Sequence, residues 1–218
     1  MELLTLQQEG EAVLTVPLKA MFTTNCIPQS FSNKFPEGIP VHALFAAFFT
    51  IGNPEDLEKY DLWRKTWPSR QDFEDSMPIL WPEHLRLNSQ QHSQLLPPSI
   101  SGSWDSFRKR KSEYPYDSFH QDLLAQQEKR LRTAWEKVVA VFPETDWGSF
   151  SYHWLIVNTR SFFYLMPGEE QPEDRNDAMA LLPFADYFNH SDVVVWLLHS
   201  PCLLWSGSDT FVCFINIG

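Results

Sequence analysis

The residues best suited to chemistry stand together in Leu181-Leu182-Pro183-Phe184-Ala185-Asp186-Tyr187-Phe188-Asn189-His190-Ser191. An apolar run carries the chain inward, and Pro183 ends any regular helix there because it has no N–H to give. An aspartate, two large aromatics and an Asn-His pair follow. A buried polar group left unpaired costs roughly 1–3 kcal/mol, so a dense set of them in apolar surroundings asks for a ligand or a tight internal network. The Asn189 amide both donates and accepts, and His190 offers ring and backbone groups. Tyr187 and Phe188 could line a pocket or simply pack. The plain alternative is a helix-to-loop junction capped by Asn189 and Ser191, and on residue types alone that alternative leads. A metal hydrolase would need Asp186 and His190, at helical i,i+4 spacing, joined by His153 or His199. No HExxH or Cys/His spacing backs that arrangement.

The element that must position this stretch lies just upstream. Residues from Ser149 to Phe163 read as an amphipathic helix with Tyr152, Leu155, Ile156 and Thr159 clustered, and it delivers Arg160. Taken alone, an arginine in that place is a surface residue. An acidic loop from Gly168 to Asp177 then leads back to the motif. Further upstream, Asp117 to Phe142 is the longest predicted helix, with Leu131, Trp135, Val138 and Phe142 on one face and Pro143 as its stop. Val41 to Ile51 is an almost wholly apolar helix ended by Gly52, read as a left-handed stop. Asp56 to Trp67 has Leu57, Tyr60, Trp63 and Trp67 at helical spacing. Leu3 to Pro17 alternates loosely and reads as a hairpin with its turn at Gly10-Glu11. Asn88 to Ser103, with Pro97-Pro98 and Gly102, is a loop. Arg108-Lys109-Arg110-Lys111 is either a nuclear-import patch or a solvated run of charge.

The string Leu-Pro-Phe-Ala-Asp-Tyr-Phe-Asn-His-Ser resembles the Asn-His motif of SET-domain protein methyltransferases. The nearest subgroup is that of the plant Rubisco large-subunit lysine methyltransferase, in which a helical insert interrupts the SET fold. Two further stretches carry the likeness: Gly10-Glu11-Ala12-Val13-Leu14-Thr15-Val16-Pro17, and Thr159-Arg160-Ser161. The run Tyr60…Trp67-Pro68…Phe73…Pro78…Trp81…Leu85 is similar to the opening of the family's insert. The resemblance covers most of residues 10 to 192 and stops there.

It implies an α+β fold, an incomplete SET-type β core with a large helical insert. Residues 1–52 would form the N-terminal part of that core, 53–145 the insert, 146–192 the cofactor segment and 193–218 a divergent apolar tail. It implies S-adenosylmethionine as cofactor, held by Arg160, Asp186, Tyr187, Phe188, Asn189 and His190, and a protein substrate methylated on lysine. A guanidinium fork suits the carboxylate of a methionine moiety. Methyl transfer to an amine needs the reactants aligned, which can contribute roughly 7–11 kcal/mol, and an apolar channel that favours the neutral lysine. No metal is required.

The chain departs from the family at both ends. No glycine precedes Gly10, so the Gly-x-Gly turn that lets the cofactor approach the backbone lies in a missing N-terminus or is lost. No tyrosine follows Tyr187, and Ile215-Asn216-Ile217-Gly218 has isoleucine where the catalytic tyrosine belongs. From Val193 to Gly218 the one formal charge is Asp209, and the tail is neither a clean helix nor a clean strand. It reads as a mis-spliced or frame-shifted end, or as a divergent tail. The expectation is a truncated methyltransferase that does not methylate. The alternative is a non-catalytic protein-binding module derived from the same fold, using its acidic surface or the Asp117–Phe142 helix. A half-built β core would expose strand edges and favour aggregation.

Composition fits these readings. The chain has 218 residues, enough for one domain with an insert, and a formal net charge of −11, the wrong sign for non-specific nucleic-acid binding. Cys26, Cys202 and Cys213 have no CxxC spacing, which suggests a reducing compartment. No signal peptide or membrane-length apolar run is seen, so the expected location is cytoplasmic or nuclear.

Overall fold

A computed structural model describes residues 12–81, 116–165, 168, 170–187 and 210–214. The architecture is α+β: helices around one aromatic core, with two small two-stranded antiparallel sheets.

The centre is helix α2 (Val41–Ile51), for which α1 is the single turn Gln29–Ser32. All eight residues from His42 to Phe49 are buried, as expected of a helix that is apolar all round. The element matches the sequence reading to the residue, but its ending does not. Gly52 has φ −64° and ψ 158°, extended rather than left-handed. Glycine is needed there for space: a Cβ would meet the Phe48 carbonyl oxygen at 2.4 Å and its ring at 3.0 Å. Gly52→Ala is expected to destabilise by about 1–3 kcal/mol, the usual range for forced overpacking. Urea unfolding of the variant beside the parent chain would read it, and an unchanged midpoint would refute it.

The predicted helix Asp56–Trp67 is instead a chain of short turns: α3 (Pro54–Leu57), a 3-10 turn (Glu58–Tyr60) and α4 (Asp61–Arg64). Its inward residues Leu57, Tyr60 and Trp63 recur every third position, the period that 3-10 geometry eclipses, so burying all three favours the tighter winding. Helix α5 (Arg70–Ser76) opens on a capping box in which Ser69 and Asp72 satisfy each other's backbone N–H groups.

Helix α6 (Tyr116–Val139) lays Leu131, Ala134 and Val138 into the core, and Phe142 packs beyond its end. Helix α7 (Trp147–Arg160) starts at Asp146, whose carboxylate accepts from the Ser149 N–H at 2.7 Å. It packs against α2, and the Trp154 indole N–H donates to His42 Nδ1 at 2.9 Å. Phe22, Phe45, Phe48, Phe49, Phe150, Leu155 and Ile156 are fully buried between these elements. Residues from 1–52, 53–145 and 146–192 thus contribute to a single hydrophobic cluster.

Sequence periodicity extends α7 three residues too far. Ser161–Phe163 is strand β2, paired antiparallel with β3 (Met179–Leu181) in the register Ser161↔Leu181, Phe162↔Ala180, Phe163↔Met179. Two consecutive aromatics suit a strand better than a helix end. Phe22 bridges the other edge of β3, exchanging both backbone hydrogen bonds with Leu181. The apolar run before the motif is therefore a buried strand, and Pro183 follows a strand instead of ending a helix.

The second sheet pairs β1 (Ala12–Pro17) with β4 (Thr210–Phe214), with an irregularity between Ala12 and Leu14. The partner described for β1 is β4 and not an upstream hairpin arm; residues 1–11 lie outside the described residues. The tail accordingly contributes a strand that its mixed composition hid. The basic run 108–111 and the loop 88–103 also lie outside the described residues. Among the described residues no helix is long and apolar enough to cross a membrane.

Candidate functional site

The chain arrives at Asp186 through a strained turn. Leu182 accepts from the Ala185 N–H at 3.2 Å, Pro183 takes the first central position, and Phe184 takes the second with φ +69°. That sign of φ at that position is the mark of a type II turn, which ordinarily uses glycine. A non-glycine residue held there costs about 1–3 kcal/mol. Leu182 and Ala185 anchor the turn on either side, packed with Val16, Met21 and Ala180 in a second small cluster. A 3-10 turn, Ala185–Tyr187, then presents the aspartate.

Arg160, the last residue of α7, meets it. Its Nη1 lies 2.6 Å from Asp186 Oδ2 and 3.3 Å from the Asp186 carbonyl oxygen. The Trp63 indole N–H points at the same Oδ2 at 3.4 Å. The Asp186 side chain is 1% exposed and that of Arg160 14%, so the pair sits in a medium where charges interact strongly and cost much if separated. Two atoms of the pair remain buried without a partner: Asp186 Oδ1, an acceptor, and Arg160 Nε, a donor.

The structure brings together Arg160 and Asp186, and places Tyr187 in the same 3-10 turn as Asp186. Phe188, Asn189 and His190 lie outside the described residues. Sequence reasoning gave the Arg160 guanidinium to a ligand carboxylate, and here one of its nitrogens holds a carboxylate of the chain itself. Trp63, at helical spacing with Leu57 and Tyr60, is core, and its N–H is also the third member of this contact. Aromatic spacing could foretell the burial but not the partner of the N–H.

Two histidines lie on the same helices, His42 buried on α2 and His153 half-buried on α7. His153 Nδ1 lies 3.1 Å from Thr50 Oγ1, and its ring packs tilted or edge-on among Phe49, Trp67 and Tyr152. Burial, with Arg64 nearby, lowers its pKa to about 4. Burial and Arg130 likewise lower that of His42 to about 4. Both are neutral imidazoles at pH 7. The Tyr152 hydroxyl, raised by burial, donates to the Pro68 carbonyl at 2.9 Å. Among the described residues no group of three His, Cys, Asp or Glu side chains could hold a metal ion.

The two unpartnered atoms are a chemical test of the cofactor that the sequence suggested. An amino acid moiety carries an ammonium to donate and a carboxylate to accept, the complements of Asp186 Oδ1 and Arg160 Nε. The methionine end of S-adenosylmethionine carries both groups, and both protein atoms are closed to solvent in this structure. Compared with family models, with curated proteins and with solved structures, the chain matches none.

Proposed function

We propose that this chain is a SET-type protein built on the plan of the S-adenosylmethionine-dependent protein-lysine methyltransferases, able to hold the methyl donor but unable to transfer its methyl group. The observation that carries this reading is the buried Arg160–Asp186 contact. It ties the end of α7 to the head of the Asp186–His190 motif and leaves one acceptor and one donor unsatisfied.

In this reading Asp186 Oδ1 accepts from the donor's ammonium, and Arg160 Nε donates to its carboxylate. Asn189 and His190 take the adenine edge. Bound S-adenosylmethionine supplies an activated methyl on a sulfonium. The chain's own work is to fix both residues against the buried floor of Trp63 and β3, so that little side-chain freedom remains to be lost on binding. The protein substrate would offer a lysine, but Ile217 stands where the resemblance puts the tyrosine that orients its amine, and turnover by these 218 residues is not expected.

A ligand that binds only the folded state raises its melting temperature. The full chain is expected to melt higher with S-adenosylmethionine than without, and Asn189→Ala is expected to abolish the rise. A radiolabelled methyl-transfer assay on cell extract should show no turnover. Absence of any thermal shift at saturating donor would sink the cofactor reading, and robust turnover would sink the claim of inactivity. The rival reading, a protein-binding module of the same fold, predicts partner capture with no thermal shift. The buried Leu131–Val138 face of α6 weighs against that helix as its docking surface.

A further inference from the structure

A second site stands at the other end of the β2–β3 ladder. Arg160 and Asp186 lie beyond the Ser161↔Leu181 pair, whereas a cleft of about 470 Å3 opens beyond Phe163↔Met179. The two ends are two residue steps apart, on the order of 7 Å along the strand. Thr23 and Thr24 line the cleft together with Tyr164 and Met179, and its charged lining residues are Glu170 and Asp177.

The chain bordering the cleft is strongly acidic. The described residues of the connection from Gly168 to Asp177 include four carboxylates, Glu170, Glu173, Asp174 and Asp177, against one guanidinium, Arg175. That guanidinium is turned onto the Phe163 ring, 5.1 Å from its centroid. Two further cations lie in the field of Asp177, Arg130 and Lys137, but neither lines the cleft, and Lys137 Nζ is spent on the Gly38 carbonyl at 3.1 Å. Asp177 is half-buried. Its Oδ1 accepts from the Val41 N–H at 2.8 Å and so caps α2 from 136 residues away in sequence. Burial nevertheless raises its carboxyl above the ordinary range, the behaviour of an acid short of countercharge.

We infer that this cleft seats a basic side chain, lysine or arginine, of a partner peptide, with the cation between Glu170 and Asp177 and the methylene stem against Met179 and Tyr164. Long cationic side chains bind in this manner, stem on apolar surface and head on carboxylate. The inference does not depend on methyl-donor binding, because none of the lining residues belongs to the Arg160–Asp186 contact.

The test uses the full chain and a fluorescein-labelled lysine-rich peptide, with the same peptide acetylated on its lysines, followed by anisotropy without S-adenosylmethionine. The parent chain should bind the first and not the second. Asp177→Asn keeps an oxygen to cap Val41, and with Glu170→Gln it should weaken binding by about tenfold or more, since a charge pair is lost. A control removing two exposed acids elsewhere, Glu55→Gln with Asp75→Asn, should leave affinity unchanged. If the Asp177 variant fails to fold, Glu170→Lys alone, on the exposed rim, must abolish binding. Equal weakening by the cleft and control pairs would mean general attraction to an acidic protein, and would overturn the inference. So would binding of the acetylated peptide or the absence of any binding.

Discussion

Replacing Arg160 with methionine is expected to lower the unfolding free energy by about 3–5 kcal/mol, the cost of leaving one member of a buried ion pair without the other. Asp186 is the member left behind, with a side chain 1% exposed and, among the described residues, only the Trp63 N–H, at 3.4 Å, still directed at it. Against a total stability of about 5–15 kcal/mol, such a loss brings the chain near its unfolding midpoint. Removing both charges, Arg160→Met with Asp186→Leu, should recover much of the loss, since apolar replacement of a whole buried pair is often neutral. Urea unfolding of the three proteins measures it. A loss below about 1 kcal/mol for the single variant would mean that the pair behaves as a solvated surface bridge, and the buried-site description would fall with it.

The second large effect is on acidification. His42 and His153 have folded pKa values of about 4 against an ordinary 6.5, each lowered chiefly by burial. Between those values the unfolded chain takes up protons that the folded chain refuses. Stability is therefore complete above pH 6.5 and falls as pH drops toward 4. At 1.36 kcal/mol per pH unit, each imidazole contributes a loss of about 3 kcal/mol across the window. Asp72, Asp146 and Asp174, whose pKa values are lowered by hydrogen bonds, extend the loss to more acid pH. Asp177 acts in the opposite sense, since its raised pKa makes the folded state the better proton acceptor. Melting temperatures at pH 7 and pH 5 should differ clearly, and His153→Gln should flatten the slope. Equal melting at both pH values would refute this account of the two rings.

Much of the fold could be read before the structure because its helices have long, unambiguous patterns. Val41–Ile51 could be placed to the residue, since an almost wholly apolar run bounded by Pro40 and Gly52 has few other solutions. Helices α6 and α7 could be located but not cut correctly: strand β2 is three residues long and continues the apolar pattern of α7, so periodicity cannot separate them. The turns of residues 54–64 were hidden by the closeness of the 3.0 and 3.6 periods. Arg160 and Asp186 both stood out as charges following apolar runs. What could not be seen is that they face each other, because they stand 26 positions apart with a two-stranded ladder between them. The cleft was invisible for the same reason, as its walls come from residues 23–24, 41, 164–165, 170, 172 and 177–179. The φ of Phe184 left no trace at all, since nothing in a phenylalanine announces a turn that prefers glycine.

The antiparallel pairing of Ala12–Pro17 with Thr210–Phe214 has a consequence for how the protein is made. On the ribosome the first strand emerges long before its mate exists, and the helices between them can settle in the interval. Until the codons for Thr210 to Phe214 are read, that strand presents bare amides and carbonyls to any neighbouring nascent chain, the situation in which edge-to-edge association begins. Chains arrested before Thr210 should therefore burden chaperones more heavily than chains arrested after Phe214.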